Sequence, residues 1–260
     1  MDYFVFNGIK STDKNVVLIN YRPIFLPQRN TEYELIPGKS GSIEFDSGTY
    51  QDIIIEAECA ILGENEQEVM TNAYEAKKWL SPKGWLSFWD DPQRFYIGRI
   101  ANQIPLEQQV KWGNIRLLFR CQPFAYKVIS PAAGFIPDLF IPFAEQITAD
   151  NATGSHTITG PGAIQINNNG VFETEPYFRI DGSFTTLALG DLIINRALSA
   201  GTLYIDNEKM EVYTIDAGSR VNYLPQTSGK PIKLAPGNNT ININGTGLNF
   251  TLRYLLIERW

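Results

Sequence analysis

The sequence predicts a mainly β protein built as two units, the first of which carries a single helix. Three observations carry this expectation. Apolar residues recur at every second position over long stretches, which is the period of a strand. One segment, Asn65 to Leu80, instead spaces Val69, Ala73, Ala76 and Leu80 by three and four, the period of a helix. From about Gly134 onward, Gly, Asn, Thr and Pro punctuate the chain at short intervals, as in a β-sandwich or jelly roll.

The elements follow in order. Between Gln51 and Ile61, Ile53, Ile55, Ala57, Cys59 and Ile61 share one face and Glu56 and Glu58 the other. A helix is predicted over about 65–80. Asn65 caps it, Glu68 stands where a capping-box carboxylate reaches back, and Pro82 and Gly84 stop it. Its Trp79 and Leu80 are expected to face the sheet. Between Asn114 and Cys121, Ile115, Leu117, Phe119 and Cys121 alternate with Arg116 and Arg120. In the second half, Gly160-Pro-Gly162, Asn167 to Gly170, Asp181-Gly182, Gly190-Asp191, Asp206-Asn207 and Pro236-Gly237 read as turns. Near the end, Ile241 and Ile243 precede Gly245-Thr-Gly247, and Leu248, Phe250, Leu252 and Tyr254 alternate after it. That pattern predicts a hairpin. Pro131, Gly134, Pro137 and Pro142 break any regular element, so the expected division is 1–130, a junction at 131–159, and 160–260.

Composition excludes several functions. The net charge of −6, without a block of like charges, argues against sequence-specific nucleic-acid binding through phosphate neutralisation. No apolar run is long enough for a membrane span. The N-terminal stretch has no basic region followed by a long apolar one, so no secretory leader is expected. The two cysteines, Cys59 and Cys121, read as buried free thiols. His156, the one histidine, lies in a polar stretch and is expected to be a solvated loop residue.

Site-like features each have a structural explanation. A glycosidase needs two carboxylates roughly 5–9.5 Å apart across a cleft, and Asp90-Asp91-Pro92 reads as a turn instead. Asp206-Asn207-Glu208 lacks the spaced oxygens of a calcium loop and reads as a hairpin turn. The sequons at Asn151, Asn238 and Asn244 are expected to be unmodified turns. Trp79, Trp85, Trp89 and Trp112 are expected to pack in the core rather than form a sugar platform. No catalytic, cofactor-binding or metal-binding residues are expected, and no cofactor.

A set of motifs resembles one family in order. Phe4-Val-Phe-Asn7-Gly8 opens it, and Ile36-Pro37-Gly38-Lys39-Ser40-Gly41 follows. The helix ending in Trp79-Leu80 comes next, then Leu86-Ser-Phe88 with Asp90-Asp91-Pro92, and Phe119 to Tyr126. Asn168-Asn169-Gly170, Glu175-Pro176, Ile205 to Tyr213 and Leu234 to Asn239 complete it. This set resembles the distal tail proteins of long-tailed (siphovirus-like) bacteriophages. The resemblance implies a tail-tube-like N-terminal β domain and a C-terminal galectin-like, carbohydrate-module-like β-sandwich. It further implies a structural virion protein: a homo-hexameric ring at the tail tip, assembled in the host cytoplasm, through which DNA passes. The ring would join the tail-tube protein to a tip protein and to a receptor-binding protein. The chain is too short for the large inserted sugar-binding modules of extended members, and its 130–159 stretch looks longer than the usual junction. Two other readings are a carbohydrate-binding module touching the host wall and, more remotely, a wall-degrading enzyme.

The residues also suggest where copies would associate. From Ile19 to Ile36, Tyr21, Ile24, Phe25, Leu26, Tyr33 and Leu35 sit between Pro23, Pro27 and Pro37. A proline-broken apolar hairpin suits a central strand poorly and suits an arm laid on a neighbour. A loop folded onto its own core is the alternative. Acidic side chains are expected on the ring's lumen, because a basic channel would hold the passing DNA.

Overall fold

The computed structural model describes residues 2–108 and 111–260. The chain forms two compact units that divide between Tyr126 and Lys127. It is mainly β, and Glu66–Leu80 is the single α-helix among the described residues.

In the first unit the alternating strands form one antiparallel sheet. Its order is Ile9–Lys10, Phe4–Phe6, Gly84–Phe88, Asp91–Ile100, Trp112–Cys121, Ile53–Leu62 and Val16–Arg22. A bridge from Asp2, just before Phe4–Phe6, to Leu18 brings that side of the sheet against Val16–Arg22, with the Leu18 N–H donating to the Asp2 carbonyl at 3.2 Å. The sheet thus curls into a small barrel. Ile53, Ile55, Ala57, Cys59 and Ile61 all point inward and are buried. They meet Ile115, Leu117, Phe119 and Cys121 across ten consecutive pairs running from Leu62–Trp112 to Ile53–Cys121. The outward carboxylate of Glu56 pairs with Arg116 and, at 3.9 Å, with Arg22.

The helix starts as its caps dictate. Asn65 Oδ1 accepts the Glu68 N–H at 3.0 Å, and the Glu68 carboxylate accepts the Glu64 N–H at 2.9 Å. Val69, Ala76, Trp79 and Leu80 are buried against the barrel. Trp79 stacks on Phe4 with ring centroids 5.5 Å apart, and its Nε1–H donates to the Phe6 carbonyl at 3.0 Å. Trp85 is buried too, but Trp89 and Trp112 are exposed, contrary to the expectation of core packing. Trp89 lies in the turn after Gly84–Phe88, and Trp112 is the first residue of its strand. Both stand where the sheet meets solvent.

The second unit is a β-sandwich. One sheet runs Gly154–Ile158, Asn249–Arg259, Tyr177–Phe184, Leu198–Asp206, Glu211–Asp216, Ser219–Asn222. The other runs Gly162–Asn168, Gly237–Thr246, Thr186–Leu189, Leu192–Ile194, Thr227–Ser228. Ile166, Leu187, Ile194 and Ile243 from one sheet pack against Phe178, Ile180, Leu203 and Leu252 from the other.

Several sequence expectations fail here for identifiable reasons. The strands around Gly245-Thr-Gly247 do not pair with each other; the chain crosses between the sheets there. Gly245 has φ +144°, and a Cβ on it would lie 2.1 Å from the Thr186 carbonyl oxygen. Alternation reports an inward face and does not report the partner strand. Asp181-Gly182 is no turn but a bulge inside Tyr177–Phe184, where the register with Leu198–Asp206 shifts. His156 is not a solvated loop residue. It lies in the strand Gly154–Ile158, half-buried, its ring stacked on Tyr254 at 6.0 Å. Asn238 and Asn244 lie in a strand rather than in turns.

The stretch 131–159 contains ordered structure within the second unit. A 3-10 turn, Phe143–Gln146, sets Phe143 against Tyr177 at 5.1 Å, and Ala144, Ile147 and Ala152 are buried. The Arg179 guanidinium donates to the Ile147 carbonyl at 3.0 Å. Asn151 closes a turn by accepting the Thr148 N–H at 2.7 Å.

Candidate assembly surface

The part of the first unit that its own core leaves uncovered lies between residues 23 and 50. Pro23 and Pro27 have no N–H to give a sheet, and the chain leaves the barrel after Arg22. It then forms a separate two-stranded ribbon, Arg29–Leu35 paired with Ser42–Tyr50. Pro37 and Gly38 turn the tip, with the Lys39 N–H donating to the Ile36 carbonyl at 3.1 Å and Gly38 at φ +86°. That is the geometry a Pro-Gly pair favours at the centre of a type II turn.

The ribbon is held at its base. Gln51 N–H donates to the Gln28 carbonyl at 2.8 Å, Arg29 pairs with Asp46 at 3.1 Å, and Tyr50 meets Phe124 edge-on at 5.3 Å. Beyond the base nothing covers it, and Ser42–Tyr50 has no buried residue. Two-stranded ribbons are marginal alone in water.

Of the six residues the sequence singles out, five are exposed. Phe25 is fully exposed, Leu26 is 69%, Tyr33 64% and Leu35 78% exposed, and Ile24 also reaches solvent. Tyr21 is different. It is half-buried on the barrel, stacked on Phe88 at 3.9 Å, and its hydroxyl donates to Asp90 Oδ2 at 2.5 Å. Burial first, and the Asp90 carboxylate second, raise its pKa above the ordinary tyrosine value. Ile19 to Ile36 therefore does not fold as one hairpin. Its first part is a barrel strand, and its second part pairs with Ser42–Tyr50. The sequence reading missed that partner strand and its exposed Phe45. The alternation of Ile43 and Phe45 with Glu44 and Asp46 was the available signal.

The other site-like features are structural. Asp90 holds Tyr21, and Asp91 pairs with Arg94 at 2.7 Å. Asp206 is buried in a hairpin turn and accepts the Lys209 N–H at 2.9 Å; burial raises its pKa. Among the described residues no cluster of three or more His, Cys, Asp or Glu side chains is placed to hold a metal ion. Among the described residues of the second unit Phe140 is the one largely exposed aromatic. No helix among the described residues is long and apolar enough to cross a membrane.

Residues 13–121 match the family model of the phage tail protein RIFT-related domain. That span begins in the 3-10 turn Ser11–Lys14 and runs through the arm and the helix to Cys121. Over its whole length the chain is similar to the Dit protein of phage SPP1, with TM-score 0.69, 15% identity and 99% of each chain covered. The chain has the fold of a phage distal tail protein. Two phage baseplate structures are also similar in fold. The phage P2 baseplate in its activated conformation with calcium gives TM-score 0.53 and 10% identity, covering 100% of this chain and 98% of that one. The phage p2 baseplate with strontium gives TM-score 0.50 and 9% identity, covering 100% and 99%. No curated protein matches the chain in sequence.

Proposed function

We propose that this protein is the structural hub of a phage tail tip. Six copies associate through their first units into a ring that joins the tail tube to tip and receptor-binding proteins and leaves a passage for DNA. The observation that carries the reading is similarity over 99% of both chains to a protein described as a paradigm of the hub adsorption apparatus in phages infecting Gram-positive bacteria. The arm supports it physically, because it exposes Phe25, Leu26, Tyr33, Leu35 and Phe45, and association would take such side chains out of water. The charge of −6 fits a wall that does not retain DNA. The protein would reside in the virion after assembly in the host cytoplasm, and it is not an enzyme on this reading. Residues 1–130 would form the ring, and 160–260 would stand as a separate module. Native mass spectrometry and negative-stain microscopy test this. Hexamers or rings are expected at high concentration or with the tail-tube protein. A chain that stays monomeric and binds neither tube nor tip proteins would falsify the hub assignment.

A further inference from the structure

The first unit holds both an uncovered arm and an apolar groove. The groove lies between the helix Glu66–Leu80 and residues 100–106 and encloses about 570 Å³. Ile61, Ile115 and Leu117 floor it, and Met70, Tyr74 and Ile104 help to wall it. Among the described residues Lys77 is the one charged residue in its lining, and it makes no ion pair.

The arm has the opposite character. Tyr33 pairs with Glu44 and Leu35 with Ser42, so Tyr33, Leu35 and Glu44 share one face of the ribbon. The ribbon carries Glu32, Glu34, Glu44 and Asp46, and Asp46 alone is neutralised, by Arg29. It is an acidic surface with exposed apolar side chains. The groove is an apolar surface with one free cation, Lys77, among the described residues.

We propose that the Tyr33–Leu35–Glu44 face of one copy's ribbon seats in the Lys77 groove of the next copy, with Glu44 beside Lys77. The occupant is a second copy because charge and apolarity are complementary within this one sequence. Each copy offers one arm and one groove, so the contact is head-to-tail, the type that closes into rings. The inference rests on the ring reading above and assigns its interface.

Two experiments test it on the full chain. In the first, Lys77→Glu and Glu44→Lys each weaken self-association about tenfold by analytical ultracentrifugation, and the double variant returns to within about threefold of the parent. Both residues are exposed, so neither change disturbs the core. In the second, Leu35→Cys with Tyr74→Cys is treated with a short bis-maleimide. A ladder of covalent oligomers is expected, while a mixture of the two single variants stops at dimers. Cys59 and Cys121 are buried and contribute little background. Rings that form without the cross-link and without charge-swap rescue would overturn this interface and leave the hub reading standing. A cross-link within one chain would overturn it as well. A protein that never self-associates would remove the ring reading and this interface together.

Discussion

Burial pushes both thiols of the first unit, Cys59 and Cys121, up to about 12 from 9.0. Each lies on the inward face of a barrel strand. A shift of about three units lowers the thiolate fraction about a thousandfold, and the thiolate is the nucleophile. At pH 8 the folded protein should therefore react with a disulfide reagent only as fast as the barrel opens, and fully on unfolding. The same shift is a stability statement. Below pH 9 both folded and unfolded states keep the thiol proton, and the thiols contribute nothing to pH dependence. Above it the unfolded state loses the proton first, so stability falls as pH rises toward 12. The slope approaches about 1.4 kcal/mol per pH unit for each thiol. Buried tyrosines act in the same direction, so the thiol part is isolated by difference. Urea unfolding of the parent and of Cys59→Ala/Cys121→Ala is followed from pH 8 to 10.5. The alanine variant is less stable at pH 8 because it loses packing, and the difference should move in the variant's favour by on the order of 4 kcal/mol, about 2 for each thiol, by pH 10.5. A gap that stays constant, or thiols that react at once in the native state, would refute the reasoning.

Trp79→Ala should destabilise the first unit by about 3–5 kcal/mol in the same unfolding assay, because it empties the contact with Phe4 and Phe6 and removes the donor to the Phe6 carbonyl. Asn65→Ala should cost about 1 kcal/mol through the lost cap, and Asn65→Asp should preserve stability. Gly245→Ala should cost on the order of 3 kcal/mol in the sandwich, since φ +144° and the Thr186 carbonyl leave no place for a Cβ; a neutral result would mean that the crossover is differently built. Limited proteolysis should cut first within residues 130–141, before the buried Ala144, and leave two resistant fragments. Protection of that stretch would count against two separately folded domains.

Local chemistry was legible wherever one residue and its near neighbours decide the outcome. Asn65 and Glu68 set the helix start, and the Ile53 to Ile61 and Ile115 to Cys121 runs set two barrel strands in the correct facing. Pairing across distance was not legible. Ile241–Ile243 and Phe250–Tyr254 show the alternation of a hairpin, yet they enter different sheets, because a sandwich asks both strands for the same inward face. The candidate surface was half legible for the same reason. Tyr33 and Leu35 alternate with Glu32 and Glu34 just as Ile55 and Ala57 alternate with Glu56 and Glu58. Nothing in the period separates a strand covered by its own core from one that waits for cover. The prolines flanking Phe25 carry the distinction, since they forbid a ladder on both sides of that loop and so detach the ribbon from the barrel. Tyr21 shows the limit of that signal. It lies one residue inside the last barrel strand, still within reach of Phe88 and Asp90, and so belongs to the barrel although its neighbours belong to the arm.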